Sequence, residues 1–148
     1  KILMTLLDTS RIDIGAQAVG IAQAALDASI RYAGERRQFG RPIGEHQMIQ
    51  DLIAEMATRL EAARLMVLRA AWMKDTGARR FTRESAMAKL FAADMSVYVT
   101  RQAVQIFGGY GFSREYPVER HYRDAKVTEI YEGTSQIQKM VIARTFLS

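Results

Sequence analysis

Apolar residues recur at intervals of three and four along most of the chain, which is the spacing of one face of an α-helix. Three long runs carry this pattern, from Arg11 to about Tyr32, from about Glu45 to Lys74 and from about Arg83 to Phe107. Shorter helices are predicted from Val118 to about Ala125 and from Ser135 to the end of the chain. Only the first residues, "KILMTLL", read as strand-like. The pattern predicts an all-α, antiparallel, up-and-down domain like a four-helix bundle, with additional short helices.

Polar and glycine-rich segments mark the ends of the predicted helices. Thr9 or Ser10 could cap the first helix, Thr82 could cap the third, and the spacing from Ser135 to Gln138 fits a capping box for the last. The connections "GERRQFGRPIGEH", "DTGARRFTRE" and "GGYGFSREYP" contain glycine or proline. Within the last, "GGYGF" is either a helix C-cap and turn or backbone that approaches a cofactor closely.

The composition restricts the classes of function. The chain has 148 residues, 49% of them hydrophobic, which suits one domain with a core. It has no cysteine, and its two histidines, His46 and His121, are too far apart in sequence to indicate a metal site. The net charge of +5 permits an anionic partner, but acidic residues interrupt the basic ones, so we expect no nucleic-acid surface. We also expect no membrane span and no signal peptide.

A carboxylate before the last predicted helix is a candidate for chemistry. Glu132 lies between Tyr131 and Gly133, next to the start of a helix. The helix dipole and the aromatic ring form a setting that can tune a carboxylate, and a base that removes a proton from carbon needs such tuning. The residues alone leave a second interpretation open, in which Glu132 is a solvated residue before a helix cap.

The segment "ERRQFG" is a candidate for binding. Arg36 offers a planar fork of donors to phosphate oxygens, and Phe39 offers a flat face for stacking. Together they suit a ligand that is both anionic and planar, such as a nucleotide. The alternative is an exposed polar turn in which Phe39 packs into the core.

Three segments in this order resemble the C-terminal helical domain of the acyl-CoA dehydrogenases: "YAGERRQFGRPIGEHQ", "QAVQIFGGYGF" and "RDAKVTEIYEGTSQIQ". These FAD-dependent enzymes introduce an α,β double bond into acyl-CoA thioesters. The resemblance covers the chain from about Asp8 to Leu147. It implies that residues 1–148 form a C-terminal domain that contacts FAD and supports oligomerisation. Because the N-terminal helical and middle β-domains of the family are absent and the chain begins at Lys1, we expect a fragment of a longer enzyme.

The resemblance implies a short- or medium-chain-like enzyme with Glu132 as the catalytic base. In such enzymes the base removes the pro-R α-proton while hydride leaves the β-carbon for flavin N5, and its backbone N–H stabilises the enolate charge. Arg11, Tyr131 and Gly133 are implied on the substrate side. Some members place the base just before the arginine of the first helix, but the matching residue here is Ser10, which cannot act as that base.

Further implied contacts concern FAD, which in the family is bound mainly by a neighbouring subunit. Residues matching its adenosine-diphosphate half are Arg36, Phe39, Gln47, Gln105 and Gly109, and those of the loop after the base are Thr134 and Gln136.

The implied partners are an acyl-CoA substrate, an electron-transferring flavoprotein or similar acceptor, and further copies of the chain in a homotetramer or homodimer. The implied compartment is the cytoplasm or the mitochondrial matrix. A competing hypothesis is a structural oligomerisation module without activity of its own, because the predicted second and third helices have Met- and Ala-rich faces that suit contacts between subunits.

Overall fold

Five α-helices build most of the chain in the computed structural model, which describes residues 2–147 and, for side chains, residues 6–147. The helices are α1 (Ile2–Glu35), α2 (Gln47–Asp75), α3 (Thr82–Phe107), α4 (Val118–Val127) and α5 (Ser135–Leu147). Between α1 and α2 lie two short antiparallel strands and a 3-10 turn, β1 (Arg37–Gln38), β2 (Arg41–Pro42) and Ile43–Glu45. A second 3-10 turn, Gly108–Phe112, follows α3. The predicted all-α class is confirmed.

The third helix, α3, lies at the centre of the domain and contacts each of the other four helices. Its buried face consists largely of small side chains, which allow the neighbouring backbones to approach closely. These are Ala86, Ala88, Ala92, Ala93, Ser96, Thr100 and Ala103. Gly15 of α1 has the same effect, because a Cβ there would lie 2.9 Å from Cγ2 of Val67 and 3.8 Å from the carbonyl oxygen of Ala88.

The first two helices run antiparallel because the short hairpin between them reverses the chain. Gly15 near the start of α1 lies beside Val67 near the end of α2. Farther along α1, Oε1 of Gln23 accepts a hydrogen bond of 2.6 Å from Nη2 of Arg64, which precedes Val67 in α2. These contacts show that α1 and α2 are antiparallel, as predicted.

The start of α1 differs from the sequence prediction. A helix start at Arg11, behind a cap at Thr9 or Ser10, is wrong, because the helix already contains Ile2. The strand-like interpretation of the first residues is wrong over 2–7, and Lys1 lies outside the described residues. A short apolar run does not distinguish a strand from a buried helix by its spacing. Ser10 is therefore an interior residue of α1, free to use its hydroxyl for another contact.

A buried ion pair near the start of α1 is hydrogen-bonded to the first residue of α3. Nη1 of Arg11 donates to Oδ1 of Asp8 at 2.7 Å, and the arginine side chain is only 4% exposed. The hydroxyl of Thr82 donates to Oδ2 of the same carboxylate at 2.5 Å. Thr82 was predicted as a helix cap, but it is the first residue of α3, behind Phe81. Its hydroxyl thus joins two helices instead of capping one.

Two further boundaries test the predicted caps. Gly108 ends α3 with a φ of +61°, which agrees with the C-cap interpretation of "GGYGF". The capping box of Ser135 and Gln138 is wrong by one residue. Thr134 occupies the cap position, since its Oγ1 accepts a long hydrogen bond of 3.4 Å from the N–H of Ile137. The amide of Gln138 is buried and bonds elsewhere.

Two absences hold for the described part of the chain. None of the helices within residues 2–147 combines the length and apolar character needed to cross a bilayer. Among the side chains of residues 6–147, no three of the histidine and acidic residues lie close enough together to hold a metal ion.

The ion pair at Asp8 yields a stability prediction. Replacing Asp8 with Ala should lower the free energy of unfolding by about 3–5 kcal/mol, because the buried Arg11 guanidinium loses its counter-charge. Replacing Glu55 with Ala should cost less than about 1 kcal/mol, because its pair with Arg59 is exposed. Urea unfolding followed by circular dichroism measures both. Equal losses in the two variants would contradict the prediction.

Candidate active site

The loop between α4 and α5 has an uncommon backbone conformation. Glu132 has a φ of +54° and Gly133 a φ of +93°. The left-handed region is uncommon for residues with a side chain, and it persists where surrounding contacts hold it. At Gly133 a Cβ would come within 2.6 Å of Nε2 of Gln138, so this position requires glycine on two grounds. The two residues together turn the chain into α5.

Two side chains of α1 hold the side chains of this loop. Oγ of Ser10 donates to Oε2 of Glu132 at 2.7 Å. Oε1 of Gln17 accepts a hydrogen bond of 2.5 Å from the hydroxyl of Tyr131. Glu132 is exposed in this chain, as the solvated interpretation requires, but its carboxylate is oriented by Ser10 and its backbone is fixed.

Two further side chains hold the backbone of the loop. Nζ of Lys89, in the central helix α3, donates to the carbonyl oxygen of Gly133 at 2.8 Å. Nε2 of Gln138, in α5, donates to the same oxygen at 2.9 Å and to the carbonyl oxygen of Glu132 at 3.2 Å. Helices on three sides therefore fix the position of the carboxylate.

Arg11 does not reach the loop through any described hydrogen bond. It lies one residue after Ser10, where it is 3% exposed and paired with Asp8. The described contact orders the start of α1, next to the residue that orients Glu132. Its place on the substrate side stays a prediction.

The hairpin between α1 and α2 displays an aromatic ring at its tip. Gln38 pairs with Arg41, which leaves a two-residue turn of Phe39 and Gly40 with φ values of +52° and +80°. Positive φ at both positions is the signature of a type I′ turn, which favours Asn-Gly. Phe39 is nevertheless present, with its side chain 92% exposed. The alternative in which Phe39 packs into the core is therefore wrong.

A cavity of about 440 Å³ beside the hairpin unites two of the predicted cofactor residues. Arg36 and Gly109 both line it. The guanidinium of Arg36 lies 5.4 Å from the centroid of the Tyr110 ring, within the range of a cation–π contact. A Cβ at Gly109 would meet nothing within 4 Å, so the backbone there is open to a ligand.

Two other cavities unite the remaining predicted cofactor residues. Gln47 and Gln105 line a cavity of about 540 Å³ at the start of α2. Thr134 and Gln136 line one of about 340 Å³ beside the start of α5. The seven residues therefore fall into four places: the hairpin tip and three cavities. A larger cavity of about 1020 Å³ lies between α5 and the start of α3, and none of these seven residues lines it.

Sequence reasoning missed the side chains that hold the loop. Lys89 lies three residues after Ala86 and four before Ala93, on the buried face of α3, and a lysine at such a position was the available signal. Gln138 was noticed but assigned to a capping box. The spacing of the residues does not pair Ser10 with Glu132, which lie 122 residues apart, although the resemblance matches both to positions of the family's base.

Known families provide an independent comparison. The family described as "Acyl-CoA dehydrogenase, C-terminal domain" matches residues 1–147. The chain belongs to the acyl-CoA dehydrogenase family. The resemblance drawn from the three sequence segments is thereby confirmed.

Individual relatives of this acyl-CoA dehydrogenase domain agree. It is 57% identical over 144 residues to acryloyl-CoA reductase (NADH) of Anaerotignum propionicum, with 97% of this chain and 36% of that protein covered. It is 55% identical over 143 residues to the mitochondrial short-chain specific acyl-CoA dehydrogenase of Bos taurus, with 97% and 34% covered. Butyryl-CoA dehydrogenase of Megasphaera elsdenii superposes with a TM-score of 0.98 at 50% identity, with 100% and 38% covered. The chain thus spans about a third of the length of the curated relatives it matches.

Gly133 yields a prediction about the loop. Replacing it with Ala should lower the free energy of unfolding by about 1–3 kcal/mol, because the new Cβ adopts a strained backbone and collides with Gln138. Gly20 is the matched control, since it lies inside α1 with nothing within 4 Å of a Cβ. Replacing Gly20 with Ala should stabilise the domain by up to about 1 kcal/mol. Thermal unfolding measures both, and a Gly133→Ala variant as stable as the parent chain would refute the assignment.

Proposed function

We propose that the protein of which this domain is part dehydrogenates acyl-CoA thioesters at their α and β carbons, with Glu132 as the base and FAD as the oxidant. One observation carries the proposal within this family. The only side-chain carboxylate of the loop 131–134 is held by a left-handed backbone and by the 2.7 Å hydrogen bond from Ser10. Such fixed geometry is what a base that removes a proton from carbon requires.

The proposed proton transfer uses the ionised form of Glu132. Ser10 donates to Oε2, and we assign the other oxygen, Oε1, to the α-proton. The electron pair of the broken C–H bond forms the double bond as hydride leaves the β-carbon, so the products are an enoyl-CoA, a protonated Glu132 and a reduced cofactor. FAD, when bound, supplies N5 as the hydride acceptor. The backbone N–H of Glu132 would donate to the thioester carbonyl oxygen and stabilise its developing negative charge.

Tyr131 and Gly133 would shape the substrate side of this loop. The bond from Tyr131 to Gln17 fixes the ring beside the base. Gly133 adopts the left-handed backbone that turns the chain directly after the base. Arg11 would act on the substrate side through the order it gives to the start of α1.

The predicted cofactor residues fit the adenosine-diphosphate half of FAD. Arg36 and the open backbone at Gly109 suit phosphate oxygens, and the exposed ring of Phe39 suits a flat base. Gln47 and Gln105 offer amide groups that hydrogen-bond ribose or phosphate. Two more residues offer polar groups near the base: Thr134 in the loop 131–134 and Gln136 in the first turn of α5. The related acyl-CoA dehydrogenases are FAD flavoproteins.

The same proton transfer at Glu132 can serve the net reaction in either direction. One relative is named as a reductase and another as a dehydrogenase. A base that takes the α-proton in dehydrogenation returns it in reduction, so one Glu132 serves both. We propose dehydrogenation with an electron-transferring flavoprotein or similar acceptor, in the cytoplasm or the mitochondrial matrix.

A second role is assembly into a homotetramer or homodimer. Leu65, Leu68 and Trp72 of α2 lie at spacings of three and four and are 57–65% exposed. Such a stripe of large apolar side chains suits a helix of another copy. Assembly without bound flavin would support only the hypothesis of a structural oligomerisation module. A colourless tetramer that takes up no added FAD would support that outcome, whereas flavin absorbance in the purified protein supports the enzyme.

The base is tested in the full-length protein by Glu132→Gln. The rate of flavin reduction by acyl-CoA should fall by at least about 10²- to 10⁴-fold, because the amide cannot accept the α-proton. Anaerobic stopped-flow absorbance measures the rate, and the flavin content of the purified variant shows that binding is retained. Glu55→Gln, an exposed change on α2 away from the stripe of Leu65, Leu68 and Trp72, should leave the rate unchanged. If the Glu132→Gln variant reduces flavin at the parental rate, the assignment of Glu132 as the base is refuted.

The hairpin tip is tested by Phe39→Asn. Asparagine adopts the left-handed conformation more readily than phenylalanine, so the variant should be more stable by about 1 kcal/mol. It should also bind FAD about tenfold more weakly, because the stacking face is gone. Urea unfolding and flavin titration of the apoprotein give the two numbers. A gain in stability with unchanged affinity for FAD would show that Phe39 does not contact the cofactor.

A further inference from the structure

We propose that Lys89 is a positioning residue for Glu132, because its hydrogen bond to the carbonyl oxygen of Gly133 holds the base loop against the central helix. This inference rests on the proposed role of Glu132 as the base. Lys89 would act through the backbone, without touching substrate or cofactor.

The burial of Lys89 indicates a polar task. Its side chain is 0% exposed, although lysine is rarely buried completely without a partner. A methionine or leucine would fill the same space without the cost of desolvating an ammonium group. The described hydrogen bond of Nζ is the 2.8 Å contact with Gly133. The amine is therefore used where the loop needs a donor.

Two donors converge on this one carbonyl oxygen. Lys89 and Gln138 approach it at 2.8 and 2.9 Å, which occupies both lone pairs of the oxygen. Gln138 lies five residues after Gly133 in the helix that the loop itself begins, so it would move with the loop. Lys89 lies 44 residues away on α3, which contacts every other helix. Lys89 thus provides the contact that fixes the loop relative to the core of the domain.

The surrounding charges support an ammonium at this place. Burial lowers the pKa of Lys89, while the nearby carboxylates of Asp94 and Glu129 oppose that shift. Glu132 adds a smaller effect in the same direction as these carboxylates, and the Arg11 guanidinium adds to the lowering. Acidic groups on α3, before the loop and within it therefore offset part of the effect of burial, although the pKa of Lys89 stays below its ordinary value.

The inference is tested with Lys89→Met in the full-length, flavin-loaded protein. Methionine keeps the apolar stem and removes the donor, so the loop loses its tie to α3. The rate of flavin reduction at saturating acyl-CoA should fall about 10- to 100-fold, because a misplaced base transfers a proton slowly. The substrate concentration for half-maximal rate should change less than about threefold, since Lys89 does not touch substrate. Reduction by an α-deuterated substrate should show a larger isotope effect than in the parent enzyme.

Controls separate positioning from folding. Lys74→Met removes an exposed lysine from α2 and should change neither the rate nor the isotope effect. Lys89→Gln keeps a neutral N–H donor, so its rate should lie between those of Lys89→Met and the parent. If the Lys89→Met variant does not fold, the kinetics of Lys89→Gln test the inference instead.

The outcomes distinguish this inference from the proposed function. A folded Lys89→Met or Lys89→Gln enzyme with the parental rate and isotope effect would overturn the inference if Glu132→Gln is still impaired. Lower thermal stability alone, with unchanged kinetics, would also overturn it. A parental rate in Glu132→Gln would instead refute the base itself.

Discussion

The close approach of four helices to α3 is the constraint on which the rest of the structure depends. Alanine, serine and threonine cover most of the buried face of α3, so little space separates its backbone from its neighbours. Close-packed interiors tolerate changes of volume poorly, and a larger side chain here would push a neighbouring helix outward. The same tight packing fixes the side chains that hold the loop 131–134, because Lys89 lies on α3 and Ser10 and Gln17 lie on α1.

The loop 131–134 and the hairpin obtain their uncommon backbones in different ways. At the hairpin, a two-residue turn between paired strands dictates positive φ at both positions, so the conformation is local. At Glu132 and Gly133, side chains from α1, α3 and α5 impose it, so the conformation is tertiary. Strain that is held by distant elements persists only while those elements keep their places. The geometry of the carboxylate is therefore a property of the whole domain.

The sequence predicted the regular parts of this fold well and the irregular parts less well. The bounds of α2 and α3 agree within two residues, because the apolar spacing there is continuous and glycines or polar segments end it. The start of α1 was missed because a short apolar run fits a strand as well as a helix. The cap of α5 was displaced by one residue because Thr134 and Ser135 are adjacent and both are common cap residues.

The residues of the candidate site were likewise predicted only in part. Glu132 and the seven cofactor candidates were predicted from an ordered set of motifs by their resemblance to a family, and the spacing of residues alone does not predict them. The hydrogen bond of Ser10 to Glu132 and the role of Lys89 were not predicted, since a partner 122 or 44 residues away leaves no local pattern. A buried lysine in a row of alanines was the one visible sign.

The length of α1 sets a distance between the two ends of the domain. Ser10, beside the carboxylate, and Glu35, beside the hairpin, are 25 residues apart on one helix. At 1.5 Å per residue this is about 38 Å, longer than a single dinucleotide can bridge. If the hairpin and the base loop both serve bound flavin, they serve different molecules of it, and each complete site is assembled from two copies of the chain. Under the proposed function, α1 is then the spacer through which one copy of the chain contributes to two sites.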